Sequence, residues 1–167
     1  MYDLTIFLKH PENFSLPMFE QYCISMGLNV ALYPSFELEK WGGGFLPARF
    51  TDSRFKQYPN DSAFLTGFEL YFERCDHHAF KLPNGSEYPY VVALRCGVAD
   101  SFELLMAFAF GAYLTKMCEG VFVDPQDDVP YEDFRELEDA VGEIMTELLD
   151  LSKKGGLCTH RFDGWID

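Results

Sequence analysis

The chain has 167 residues, 48% of them hydrophobic and 17% aromatic, enough to fill one well-packed core. Its formal net charge of −14 excludes the ordinary mode of nucleic-acid binding, in which Lys and Arg neutralise phosphates, and disfavours an anionic membrane surface. No run of about 18 apolar residues occurs, and the N-terminus lacks a basic region leading into a long apolar one, so a soluble, cytoplasmic protein is expected.

Leu4, Ile6 and Leu8 alternate with polar residues and predict a first strand. After HPEN, Ser15 is placed to cap a helix over Pro17 to Met26, which Gly27 ends. Asn29 to Tyr33, bounded by Gly27 and Pro34, predicts a second strand. From Pro34 to Asp61 periodicity breaks down, and an irregular loop is expected around Trp41, the triple glycine 42–44 and Phe45, followed by a polar run with Arg49, Arg54 and Lys56. No Gly-Lys-Ser/Thr follows the glycines and no G-x-G-x-x-G spacing is present, so a phosphate-loop reading lacks its motif.

Phe64 to Glu73 is the clearest strand, with Tyr90 to Cys96 as its antiparallel partner across a turn marked by Asn84 and Gly85. Glu69 or Glu73 is expected to meet Arg95 across that pair. Asp100 and Glu103 have capping-box spacing and open a helix over Ser101 to Cys118 whose apolar residues surround it, so it must be buried against the sheet. Its small residues Ala107, Ala109, Gly111 and Ala112 let a sheet approach closely. Gly120 to Val123 predicts a last short strand.

A helix is then expected from near Pro130, with Phe134, Leu137, Val141, Ile144, Leu148 and Leu151 as its apolar stripe. Glu132, Glu136, Asp139, Glu143, Glu147 and Asp150 fall on the opposite side. Residues 1–118 hold nine Lys or Arg against thirteen Asp or Glu, residues 119–152 hold Arg135 against twelve acids, and residues 153–167 hold three against two. Most of the net charge thus sits in one fifth of the chain. The solvated face of a surface helix is one reading of such a row, and a docking face for a cationic protein is the other.

The expected architecture is α+β: a single-domain two-layer fold, a mostly antiparallel sheet of about five strands packed against two to three helices, with residues 1–152 as the domain and 153–167 as a C-terminal tail. Five cysteines (Cys23, Cys75, Cys96, Cys118 and Cys158) are odd in number, far apart and partly in apolar segments, which fits reduced thiols. Cys75, His77 and His78 with Cys158 and His160 form two C-x-H units that could supply zinc ligands, although the usual C-x₂-C or H-x₃₋₅-H spacing is missing. Asp124, Gln126, Asp127 and Asp128 lack the pattern of a calcium loop. No nucleophile or metalloprotease motif occurs, and neither catalysis nor a cofactor or metal is expected.

GFELYFE at 67–73, VALRCG at 92–97, the helix ELLMAFAFGAYL at 103–114 and the closing GVFVDPQ at 120–126 resemble bacterial immunity proteins of polymorphic-toxin and contact-dependent growth inhibition systems, over roughly residues 1–130. The resemblance implies a small cytoplasmic protein that binds one cognate toxin, often a basic nuclease, and blocks its active site or substrate surface. The acidic segment points the same way independently. The expected partner is a basic protein toxin, with neither nucleic acid nor membrane, and the candidate contact residues are Asp124, Asp127, Asp128, Glu132, Glu136, Asp139, Glu143 and Glu147, together with Trp41. A structural or regulatory assembly subunit, and a small metal-dependent enzyme, are the alternatives; oligomeric state is left open.

Overall fold

A computed structural model describes residues 1–55, 62–97, 99–127 and 129–165. The chain runs β1 (Tyr2–Leu8), α1 (Leu16–Ser25), β2 (Asn29–Leu32), β3 (Gly44–Thr51), β4 (Ala63–Arg74), β5 (Phe80–Lys81), β6 (Glu87–Tyr88), β7 (Tyr90–Cys96), α2 (Glu103–Met117), β8 (Gly120–Val123), α3 (Phe134–Lys153) and β9 (His160–Arg161). Short 3-10 turns occupy Pro11–Asn13 and Leu38–Lys40. The fold is α+β: an antiparallel sheet of order β2-β3-β4-β7-β1-β8, with β9 added to β4, and helices on one face.

Alternation along the strands sets that face. Leu4, Ile6 and Leu8 of β1, Leu46, Ala48 and Phe50 of β3, Phe64, Phe68 and Leu70 of β4 and Val92 and Leu94 of β7 are all buried. Against them lies α2, buried from Leu105 to Thr115. Gly111 permits a close approach to β8, since an added Cβ there would run into the Phe122 ring. Just before α2, Phe102 packs among Phe50, Phe55 and Phe64, with ring centroids 4.9–5.1 Å away. The expected capping box is not formed: the helix starts at Glu103 after Phe102, and no side chain caps it. Asp100 Oδ1 accepts from Phe102 N–H at 2.8 Å and from the Thr66 hydroxyl at 3.0 Å, but Glu103 accepts from Gly97 N–H rather than from residue 100. Three thiols, Cys23, Cys96 and Cys118, are buried in this core, and burial holds the last two up at about 12.

The region expected to be an irregular loop contains a full strand. β3 pairs with β4 from Gly44↔Leu70 to Thr51↔Ala63. Glycines and Pro47 hide its period of two, yet Pro47 breaks no bond of the β3–β4 ladder. Its carbonyl accepts from Tyr33 N–H on the β2 side, and a residue's N and O point the same way in a strand, so the missing N–H faces away from β4. Lys56 of the expected polar run lies outside the described residues. The turn at Asn84 and Gly85 closes the β5–β6 hairpin rather than joining β4 to β7 directly. That hairpin covers part of the outer sheet face, where Phe80 stacks on Phe7 at 4.0 Å and Leu82 and Tyr88 pack on Val121.

The segment after α3 is docked. Leu157 joins the core, Cys158 exchanges two hydrogen bonds with Ser101, β9 pairs with Phe64 and Leu65, and Trp165 packs on Tyr33. No helix among the described residues is long and apolar enough to cross a membrane.

Candidate partner-binding surface

The acidic helix starts later than its sequence pattern suggests. Tyr131 exchanges two backbone hydrogen bonds with Phe122 of β8, at 2.9 and 2.8 Å, so Pro130 to Glu132 form an extended segment along the sheet edge. Asp133 then caps α3, accepting from Arg135 N–H at 3.0 Å. Glu132 is therefore exposed ahead of the helix and is not part of its carboxylate row. The Arg135 guanidinium folds back on Asp133, with contacts of 3.0 and 2.9 Å, and holds that carboxyl below the usual range. The single cation of this acidic segment is thus spent on its own cap.

On the inward side, Leu137, Val141, Met145 and Leu148 are buried against α2. Met145 is buried in place of its neighbour Ile144, which is half-buried, and Leu151, the last residue of the expected stripe, is 39% exposed. Glu138 accepts from the Tyr22 hydroxyl of α1 at 2.7 Å, and Lys116 of α2 lies over the rings of Tyr22 and Phe134 at 5.2 and 4.9 Å. Three helices are thereby tied together, and α3 is a braced element rather than a loose one.

On the outward side, Glu136, Asp139, Glu143 and Glu147 are exposed, and none has an ion pair among the described residues. Asp150 faces Lys153 at 3.7 Å. Eleven residues separate Glu136 from Glu147, so the four carboxylates line up along about 16 Å of helix.

The other candidate residues divide. Asp127 is exposed and accepts from the Tyr131 hydroxyl at 2.5 Å, which raises that hydroxyl to about 12. Beside it, Val129, Pro130, Tyr131 and Glu136 line a hollow of about 190 Å³. Asp124, in contrast, is 5% exposed and serves the fold, accepting from the Tyr2 hydroxyl at 2.5 Å and from Gln126 N–H at 2.9 Å. Asp128 lies outside the described residues. Trp41 is half-buried, with its ring 5.4 Å from Phe36 and 6.5 Å from Tyr33.

The two C-x-H units do not meet. His160 pairs with Leu65 near the start of β4, while Cys75 follows the other end of that strand, ten residues or roughly 33 Å of extended chain away. Among the described residues no group of three or more His, Cys, Asp and Glu side chains is arranged to hold a metal ion. Glu69 does meet Arg95, at 3.7 Å, in a triad with Asp3 at 3.0 Å from the guanidinium, all on the solvent-facing side of the sheet.

Sequence reasoning passed over one concavity, a pocket of about 240 Å³ between the two 3-10 turns. Its walls come from residues 11–16 and 36–40, which no local periodicity links. No protein-family model matches the chain, and neither a curated protein nor a solved structure matches it.

Proposed function

We propose that this chain is an acidic binding protein that neutralises a cognate basic protein toxin, such as a nuclease, by covering its active or substrate-binding surface. The observation that carries the reading is the row Glu136, Asp139, Glu143 and Glu147, exposed and without ion pairs among the described residues, on a helix whose opposite side is buried. Packing explains the buried side and leaves the carboxylates without a structural task. Held on a braced helix, they meet a cationic cleft with little ordering to be done on binding, and their field steers the encounter. Such a row takes the place of the phosphates that a nuclease cleft is built to hold. Asp127 and Glu132 extend the acidic surface from the preceding turn.

The test is a variant with Glu136, Asp139, Glu143 and Glu147 all changed to Lys, compared with the parent for binding to, and protection against, the product of the adjacent open reading frame. Far-UV circular dichroism should be unchanged, because all four side chains are exposed. Affinity at low salt should fall by about a hundredfold or more, and protection of toxin-expressing cells should be lost. A variant that binds and protects like the parent rules this surface out.

A second reading, a structural or regulatory assembly subunit, draws on the outer sheet face, where Phe45 and Tyr71 are 46% and 41% exposed. Light scattering that returns a stable assembly without any toxin would favour it.

A further inference from the structure

We infer that the pocket between the two 3-10 turns is a socket for one Arg or Lys side chain of the protein partner; this deepens the proposed reading and rests on it for the partner's basic character. The pocket joins Pro11–Asn13, the start of α1 and Leu38–Lys40. Its floor is apolar, formed by Phe14, Leu16, Phe36 and Leu38, with Phe14 and Phe36 edge to face at 5.4 Å. Its rim carries three glutamates, Glu12, Glu37 and Glu39. An aliphatic stem fits such a floor and a cationic head such a rim, the combination by which long basic side chains bury their methylenes and keep their charge satisfied.

The rim is partly engaged already. His10 Nδ1 lies 3.0 Å from Glu12, and Lys40 Nζ lies 2.6 Å from Glu37. Glu39 has no ion pair among the described residues and is the free carboxylate of the socket.

Leu16 at the pocket and Tyr22, whose hydroxyl donates to Glu138 on the inward flank of α3, are six residues apart on α1, about 9 Å along its axis. A single desolvated Arg in a pocket beside a larger charged surface is the usual form of a binding hot spot.

The test uses the full chain and three small probes, N-acetyl-arginine methylamide, its citrulline isostere and N-acetyl-leucine methylamide, followed by ¹H–¹⁵N correlation spectra. The arginine probe should shift resonances of Phe14, Phe36 and Glu39, and added salt should weaken it. Citrulline, which has the shape without the charge, should bind far less. Glu12→Gln, Glu37→Gln and Glu39→Gln, all at exposed positions, should together lower arginine affinity by about tenfold. Absence of arginine binding, equal binding of citrulline or leucine, or shifts confined to α3 would overturn the socket. The four-lysine α3 variant separates the two claims: it should still bind arginine in the socket even if the toxin-neutralising reading fails.

Discussion

Asp100 shows how much one buried side chain can be asked to do. It accepts from Phe102 N–H in the turn that leads into α2, accepts from Thr66 of β4, and is only 7% exposed. Its Oδ2 has no hydrogen-bond partner among the described residues. Burial raises its carboxyl, while the Phe102 N–H, the Thr66 hydroxyl and nearby His160 pull the other way. A carboxyl raised in the folded state binds more protons there than when unfolded, so its contribution falls as pH rises from the ordinary carboxylate value through the folded one. At neutral pH the charge therefore works against the structure that the acceptor supports. Asp100→Asn keeps the Oδ1 acceptor without the charge and should be neutral or stabilising by up to about 1 kcal/mol at neutral pH. Asp100→Ala removes the acceptor of both the Phe102 N–H and the Thr66 hydroxyl and should cost about 2 kcal/mol. Urea midpoints from the acid range to neutrality check both, and the Asn variant should show a flatter profile. Glu103, also raised by burial, keeps part of the dependence. An Asn variant as unstable as the Ala one would show that the charge itself holds this junction.

Among the elements, the two long helices contrast in what their glycines do. Gly111 of α2 faces the Phe122 ring, and an added Cβ would sit 2.4 Å from it, whereas Gly142 of α3 has nothing within 4 Å. Gly111→Ala should destabilise by about 1–3 kcal/mol despite its better helix propensity, because a packed ring must move. Gly142→Ala should stabilise by about 0.5–1 kcal/mol, since only propensity changes. Thermal unfolding of the pair, judged by the signs of the two shifts, tests whether α2 is the inner helix and α3 the outer. Both helices were legible in the sequence because their apolar residues are dense and periodic. The start of α3 was not, because Pro130 is a good first helical residue locally but Tyr131 is taken by the edge of β8. Strand β3 was not legible either, as it starts in a run of glycines at Gly44 and carries Pro47, which masked a strand that only its pairing with β4 reveals.

At the scale of the whole molecule, the docked C-terminal segment closes what the sheet leaves open. β4 is longer than its partner β7, which pairs with it from Glu69 to Arg74, and β9 supplies pairing at Phe64 and Leu65. Ending the chain at Ser152 would remove that pairing, the Ser101–Cys158 bonds and the buried Leu157. A loss of about 3 kcal/mol is expected from the side chain and its bonds together. The bared strand edge should also make association concentration-dependent. Urea titration and sedimentation at several concentrations would measure the two effects, and an unchanged midpoint would mean that the segment merely rests on the domain.

The sequence by itself determined the α+β class, all three helices, five of the strands and the acidic face of α3, because each is written in local periodicity and local charge. Tertiary structure alone decided which of those acids face solvent. It set Asp124 inside against Tyr2, placed Glu132 ahead of the helix and folded Arg135 onto its cap. It also separated the two Cys-x-His units along β4 and brought residues 11–16 against 36–40 to form the pocket. These outcomes depend on which strand pairs with which and on where a chain crosses the sheet, long-range choices that no window of neighbouring residues contains.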